Sequence, residues 1–154
     1  MLPRTYDNQV CSVARALEVL GDRWTLLVLR DAFTRIRRFE DFQRNLGVAR
    51  NVLTDRLNRL VDEGILKRVP YQERPVRFEY RLTEKGRELW PVMMTLMQWG
   101  DRYYTEPAGR PMIVRHRDCG GEVDGHLCCS KCAAELGPYD CEATPGPGAA
   151  QAAA

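Results

Sequence analysis

The chain has 154 residues, 44% of them hydrophobic and 29% charged; that length allows one ordinary core with a short appendage, and the composition excludes a disordered chain. No apolar run approaches the ~20 residues that cross a bilayer, and Met1-Leu2-Pro3-Arg4-Thr5-Tyr6-Asp7 lacks the apolar stretch of a signal peptide, so a cytoplasmic location with reduced cysteines and no membrane partner is expected. The formal charge of +2 is unevenly spread: residues 1–34 are neutral, 35–81 hold twelve Lys and Arg against seven Asp and Glu, and 82–154 hold seven against ten. One basic face in the middle third follows.

In chain order, Val13, Leu17 and Leu20 recur at helical spacing from Cys11 to Leu20, and Gly21 ends that helix. Asp22 is the expected N-cap of a second helix over 24–33, apolar on more than one face as a helix inside a small core would be. Phe39 to Leu46 predicts a short third helix broken at Gly47. Residues 49–63 predict a fourth, with Val52, Leu53, Leu57, Leu60 and Val61 inward and Gly64 as the stop. Two alternating runs, 65–69 and 76–82, with a turn-rich segment from Pro70 to Pro75, predict a hairpin. Thr83 can cap a last long helix, which Pro91 should kink or divide. Its stripe of Leu89, Val92, Met93, Leu96, Met97, Gly100 and Tyr103 fits a partner helix, and a fold-back onto the same chain is the alternative. Beyond Pro107 the periodicity stops. Residues 108–142 are rich in Gly and Cys, and 143–154 read as a disordered tail.

The expected fold is mainly α with a small β-hairpin wing: a winged helix-turn-helix over residues 1–107, followed by a Cys-rich, zinc-ribbon-like appendage. An α-helix fits the major groove of B-DNA, its neighbour props it, and the hairpin reaches the adjacent minor groove. Residues 39–46 would be the prop, 49–63 the groove helix and 65–82 the wing. Arg50, Asn51, Thr54 and Asp55, with Arg59 further along, would face base edges; Arg37, Arg38, Arg56, Arg74 and Arg77 would meet phosphate or minor groove. The bland alternative for the fourth helix is a solvated polar face.

Residues 10–104 also resemble the HxlR-type regulators, a bacterial branch near the MarR-type winged-helix repressors. The resemblance runs through Gly21-Asp22-Arg23-Trp24-Thr25-Leu26-Leu27, Arg38-Phe39-Glu40-Asp41-Phe42, Asn51-Val52-Leu53-Thr54-Asp55-Arg56-Leu57, Leu60-Val61-Asp62-Glu63-Gly64-Ile65-Leu66 and Tyr80-Arg81-Leu82-Thr83-Glu84-Lys85-Gly86. It implies a homodimer joined through its first and last helices, bound to a palindromic operator, with repression as the expected mode and no cofactor needed for DNA binding. Where that family often has Ser-Pro at the start of the groove helix, this chain has Ala49-Arg50, a weaker cap with an added Arg. The resemblance further implies that Cys11 is the position of a redox- or electrophile-sensing thiol; a small packing residue is the alternative.

The remaining cysteines form a separate pattern. His116-x2-Cys119 and Cys129-x2-Cys132 are two ligand pairs at knuckle spacing, nine residues apart, with Gly120, Gly121 and Gly125 between them. Such a set suits a tetrahedral structural zinc, with Cys128, His126 and Cys141 competing for one place; free reduced thiols and disulfides are the alternatives. Ala133-Ala134 stand where a glycine is expected after the second pair. Two other functional classes stay open: a thiol-dependent redox enzyme using Cys129 and Cys132, against which no strand-to-helix setting is visible, and a protein-binding winged helix.

Overall fold

The computed structural model describes residues 5–149. They fall into two compact units that divide between Arg87 and Glu88.

The first unit opens with α1 (Ser12–Leu20), in which only Ala14 is buried. Cys11 is the N-cap, its Sγ accepting the Ala14 amide at 3.2 Å. Asp22 organises the start of α2 (Thr25–Phe33), although the cap position itself is Trp24. Its carboxylate accepts the amides of Trp24 and Thr25 and the Thr25 hydroxyl, satisfying donors that the first helical turn leaves unpaired. α3 (Phe39–Leu46) ends at Gly47, whose φ of 61° is left-handed, the conformation that glycine adopts without a Cβ penalty. α4 (Arg50–Asp62) buries Leu53, Leu57 and Leu60, and the expected inward neighbours Val52 and Val61 lie half-buried beside them. Around these side chains the core closes with Val28, Leu29, Phe42, Ile65 and Leu66, each 2% exposed or less. Each such side chain contributes about 1.5–3 kcal/mol of burial.

β1 (Leu66–Glu73) and β2 (Val76–Leu82) form the antiparallel hairpin, from Leu66 opposite Leu82 to Glu73 opposite Val76. The segment from Pro70 to Pro75, expected as a turn, is instead mostly strand. Pro70 is accommodated because the register shifts between Pro70 and Gln72, a bulge that leaves Tyr71 unpaired. The loop shrinks to Arg74-Pro75. A third short strand contact braces the hairpin: Arg38 bridges Glu79, and the Tyr80 amide donates to the Arg37 carbonyl at 2.8 Å. The Phe42 ring meets Tyr80 edge-on at 6.5 Å, so α3 and the hairpin share a packed contact. α5 (Glu84–Arg87) starts at Thr83, whose hydroxyl accepts the Gly86 amide.

The second unit begins where the long helix divides. α6 (Trp90–Tyr103) has Pro91 in its first turn, where a missing N–H costs nothing. Gln98 Nε2 on α6 donates to the carbonyls of Val123 and Asp124, tying the helix to the Cys-rich segment. That tie places the helix with the appendage, ahead of the boundary expected at residue 107. β3 (Met112–His116) pairs with β4 (Cys141–Pro145), Met112 opposite Pro145 and His116 opposite Cys141. Residues 143–145 therefore belong to a strand and not to a disordered tail, held by the β3 ladder and by the Thr144 hydroxyl on the Ile113 carbonyl. Residues 150–154 of the expected tail lie outside the described residues.

Candidate nucleic-acid interface and metal centre

α4 presents Arg50, Asn51, Thr54, Asp55 and Asn58 along one open concavity. The first four are exposed, as the alternation of inward leucines with outward polar residues requires. Ala49 supplies no side-chain cap, and the Thr54 hydroxyl turns back to the Arg50 carbonyl at 2.8 Å. The Arg50 guanidinium lies 4.6 Å over the Phe39 ring, which holds it at the junction of α3 and α4. Arg38 sits over Tyr71 at 4.4 Å and 3.8 Å from Glu79, on the wing side of the same surface. Arg37, Arg74 and Arg77 are exposed.

Two arginines from the sequence reading have other employment. Arg56 pairs with Asp22 at 2.9 Å and with Asp55 at 2.7 Å, and is only 20% exposed. Arg59 reaches back to the Glu18 carbonyl at the end of α1. Both have partners within the protein, bonds that anchor α4. Periodicity assigns a residue to a face, but it cannot foresee that a long flexible side chain at the edge of that face bends inward to an acid or carbonyl. The residues that sequence reasoning missed are Asn58 and Arg68, hydrogen-bonded to each other where α4 meets β1. Arg81, paired with Glu79 at 2.8 Å, was missed as well. Their signal was a polar residue one turn after Thr54 and basic residues on alternating strand positions. That Glu79 carboxyl is held below the usual range chiefly by its hydrogen bond from Arg81, with help from Arg37 and Arg38.

Cys11 is exposed at its cap position. Arg15, four residues on, is paired with Glu18 at 2.6 Å.

His116, Cys119, Cys129 and Cys132 converge, with all four ligand atoms within 4.8 Å of one another. His116 Nδ1 lies 3.3 Å from Cys119 Sγ and 3.4 Å from Cys132 Sγ, while Cys119 Sγ stands 3.2 Å from Cys129 Sγ and 3.7 Å from Cys132 Sγ. Those sulfur separations are far beyond the ~2.05 Å of a disulfide, and all six cysteines are free. Strand β3 delivers His116, buried at its end. The turn after Cys119 passes through Gly120 at φ 69°, and the turn after Cys132 through Ala133 at φ 59°. The second turn thus adopts the left-handed form even without glycine. Gly121 is needed for another reason: a Cβ there would collide with Cys129 Sγ. Amides of Cys132 and Lys131 pointing at Cys129 hold its thiol down to about 6. The three competitors are not part of this group of four, although Cys141 stands opposite His116 across the sheet. Cys128 Sγ faces the His126 carbonyl at 3.7 Å, His126 is exposed, and burial pushes the Cys141 thiol up to about 11.

The helix-turn-helix and wing coincide with a family model described as HxlR-like helix-turn-helix, which matches residues 19–108. The chain belongs to this family. HTH-type transcriptional regulators from Mycobacterium tuberculosis and Mycobacterium bovis are each 50% identical over 137 residues, covering 89% of this chain and 87% of theirs. A crystal structure of PA1607, described as a transcription factor, superposes with TM-score 0.71 at 38% identity, covering 88% of this chain and 94% of that one. The oxidised form of the redox regulator HypR superposes with TM-score 0.56 at 31% identity, covering 62% of this chain and all of that one. The longer coverage of the mycobacterial relatives and PA1607 extends the likeness toward the Cys-rich unit. Among the described residues, no helix of this HxlR-like regulator is long and apolar enough to cross a membrane.

Proposed function

We propose that this HxlR-like protein acts in the cytoplasm as a homodimeric repressor that recognises a palindromic operator. The observation that carries the reading is the exposed polar face of α4: Arg50, Asn51, Thr54 and Asp55 line one concavity, and among the described residues the one ion pair these four make is that of Asp55 with Arg56. Arg50 suits guanine and Asn51 adenine, because each side chain can form two hydrogen bonds to those bases. Arg74 and Arg77 on the wing, with Arg37 and Arg38 at its base, supply phosphate contacts. Arg56 and Arg59 serve by holding α4 in place. The second copy is supported by the apolar side chains that α1 and α6 leave exposed, Val13, Leu17, Val92, Leu96 and Trp99 among them. Cys11, exposed at the cap of α1, is the thiol through which oxidant would alter binding. The likeness to a protein named as a redox regulator supports that role.

Footprinting on the DNA upstream of the protein's own gene, with and without oxidant, tests the reading. A symmetric protected site is expected, with protection lost on oxidation in the wild type and kept in Cys11→Ser. Arg50→Ala and Asn51→Ala should relax sequence preference, whereas Arg77→Ala weakens all duplexes alike. Equal affinity for upstream and random duplex would instead favour a protein-binding winged helix.

A further inference from the structure

The Cys-rich unit contributes none of the residues that line the α4 concavity, and among the described residues it holds the His/Cys group gathered closely enough for a metal ion. We propose that His116, Cys119, Cys129 and Cys132 bind one structural zinc ion. Zinc bonds to thiolate sulfur at about 2.3 Å, which places the ligand atoms of a regular tetrahedron about 3.8 Å apart or slightly less where a nitrogen takes part. Four of the six separations between these ligand atoms are 3.2 to 3.7 Å and all six are within 4.8 Å, a set that matches that frame with small adjustment. Three sulfurs and one imidazole are the donor set that favours zinc over magnesium or calcium, and four protein ligands leave no open position for catalysis.

Three further features belong to such a site. The chain turns through the left-handed form directly after Cys119 and after Cys132, at Gly120 and Ala133, and the Lys131 amide points at Cys129 Sγ at 3.4 Å. His116 offers Nδ1 to the sulfurs while Nε2 faces the Asp118 carboxylate at 3.6 Å, the kind of outer partner that fixes a ligating ring. Lys131 Nζ donates to the Cys119 carbonyl, adding positive charge beside a centre whose three thiolates outweigh the ion by one.

The appendage also buries little apolar surface of its own. Between residues 108 and 149 the buried hydrophobic side chains are Cys129, Leu136 and Cys141, joined by His116. A segment this short with so little apolar burial ordinarily depends on a metal or disulfides, and here the cysteines are unbridged. The ion would pin the Val123–Cys129 bridge, and with it the carbonyl that receives Gln98 from α6.

The test uses the full chain, expressed without a polyhistidine tag and purified without chelator. Elemental analysis should find about one zinc per chain. After chelation under reducing conditions, Co2+ added alone should produce the intense visible bands of a tetrahedral site and a near-ultraviolet thiolate charge-transfer band, saturating at one equivalent. Cys128→Ser and Cys141→Ser should leave that spectrum unchanged. Cys132→Ser, at the most exposed ligand, should weaken the charge-transfer band. Zinc below about a tenth of an equivalent together with an octahedral or absent cobalt spectrum in the wild type would overturn the proposal. So would a spectrum that depends on Cys128 or Cys141. None of these readouts involves DNA, so failure of the operator reading would be recognised separately.

Discussion

Arg59 and Arg77 carry the same charge but are placed differently, and salt dependence separates them. Arg77 lies exposed on β2, whereas Arg59 is spent on the Glu18 carbonyl. Each phosphate contact contributes about 0.9 to the slope of log affinity against log salt. Arg77→Ala should therefore flatten the slope by about 0.9, and a fourfold rise in salt should cost the variant about 3.5-fold less affinity per lost contact than it costs the wild type. Arg59→Ala should leave the slope unchanged but lower the urea midpoint, since losing a charged hydrogen bond to a backbone acceptor costs about 1–3 kcal/mol. Fluorescence anisotropy on one duplex at four salt concentrations, with urea unfolding alongside, measures both. If Arg59→Ala flattened the slope as much as Arg77→Ala, the assignment of Arg59 to an internal anchor would be wrong.

Glu79 supports the wing through Arg81, and its lowered pKa means that its contribution is complete above the ordinary glutamate range and fades as pH falls through the lowered folded value. The stability gap between wild type and Glu79→Gln should accordingly narrow on acidification, and a gap that widens would contradict the sign. Gly47→Ala meets nothing within 4 Å, so its cost comes from φ alone. About 1 kcal/mol is expected, a fall of roughly 4–8 °C in the winged-helix Tm by calorimetry; an unchanged Tm would show that the turn relaxes. Phe42→Ala removes a fully buried ring that also touches Tyr80. It should cost about 3–5 kcal/mol in urea unfolding and weaken DNA binding further by loosening the wing, whereas a loss below about 1 kcal/mol would deny its place in the core.

Much of this was legible in advance, for local reasons. α3 runs from Phe39 to Leu46 as its apolar spacing and Gly47 foretell, and Gly64 stops α4 with φ 69°. The His/Cys pairs were legible because a two-residue gap already implies the turn that converges their side chains. What was not legible depended on distant partners. Pro70 looked like a turn residue because the bulge that admits it is made with Phe78 and Arg77 across the hairpin. The anchoring of α4 by Arg56 and Arg59 was hidden because Asp22 and Glu18 come near them only in the folded chain. β4 escaped notice because Cys141–Pro145 carries little hydrophobic alternation and is a strand only beside β3.

Gly121 gives a way to read other chains of this kind. A Cβ there would strike Cys129 sulfur and would also press on Lys131 at 3.0 Å, so the demand for glycine comes from the close approach of the second ligand turn and not from the conformation of residue 121, whose φ is unremarkable. Evolutionary loss of the ligands would therefore remove the hardest of these contacts and ease the constraint on this position, while Gly120, left-handed at φ 69°, would stay under its own. In relatives that share the appendage, residue identity at 121 should follow the ligand set, and Gly121→Ala in this chain should abolish cobalt binding while the winged-helix unit still folds.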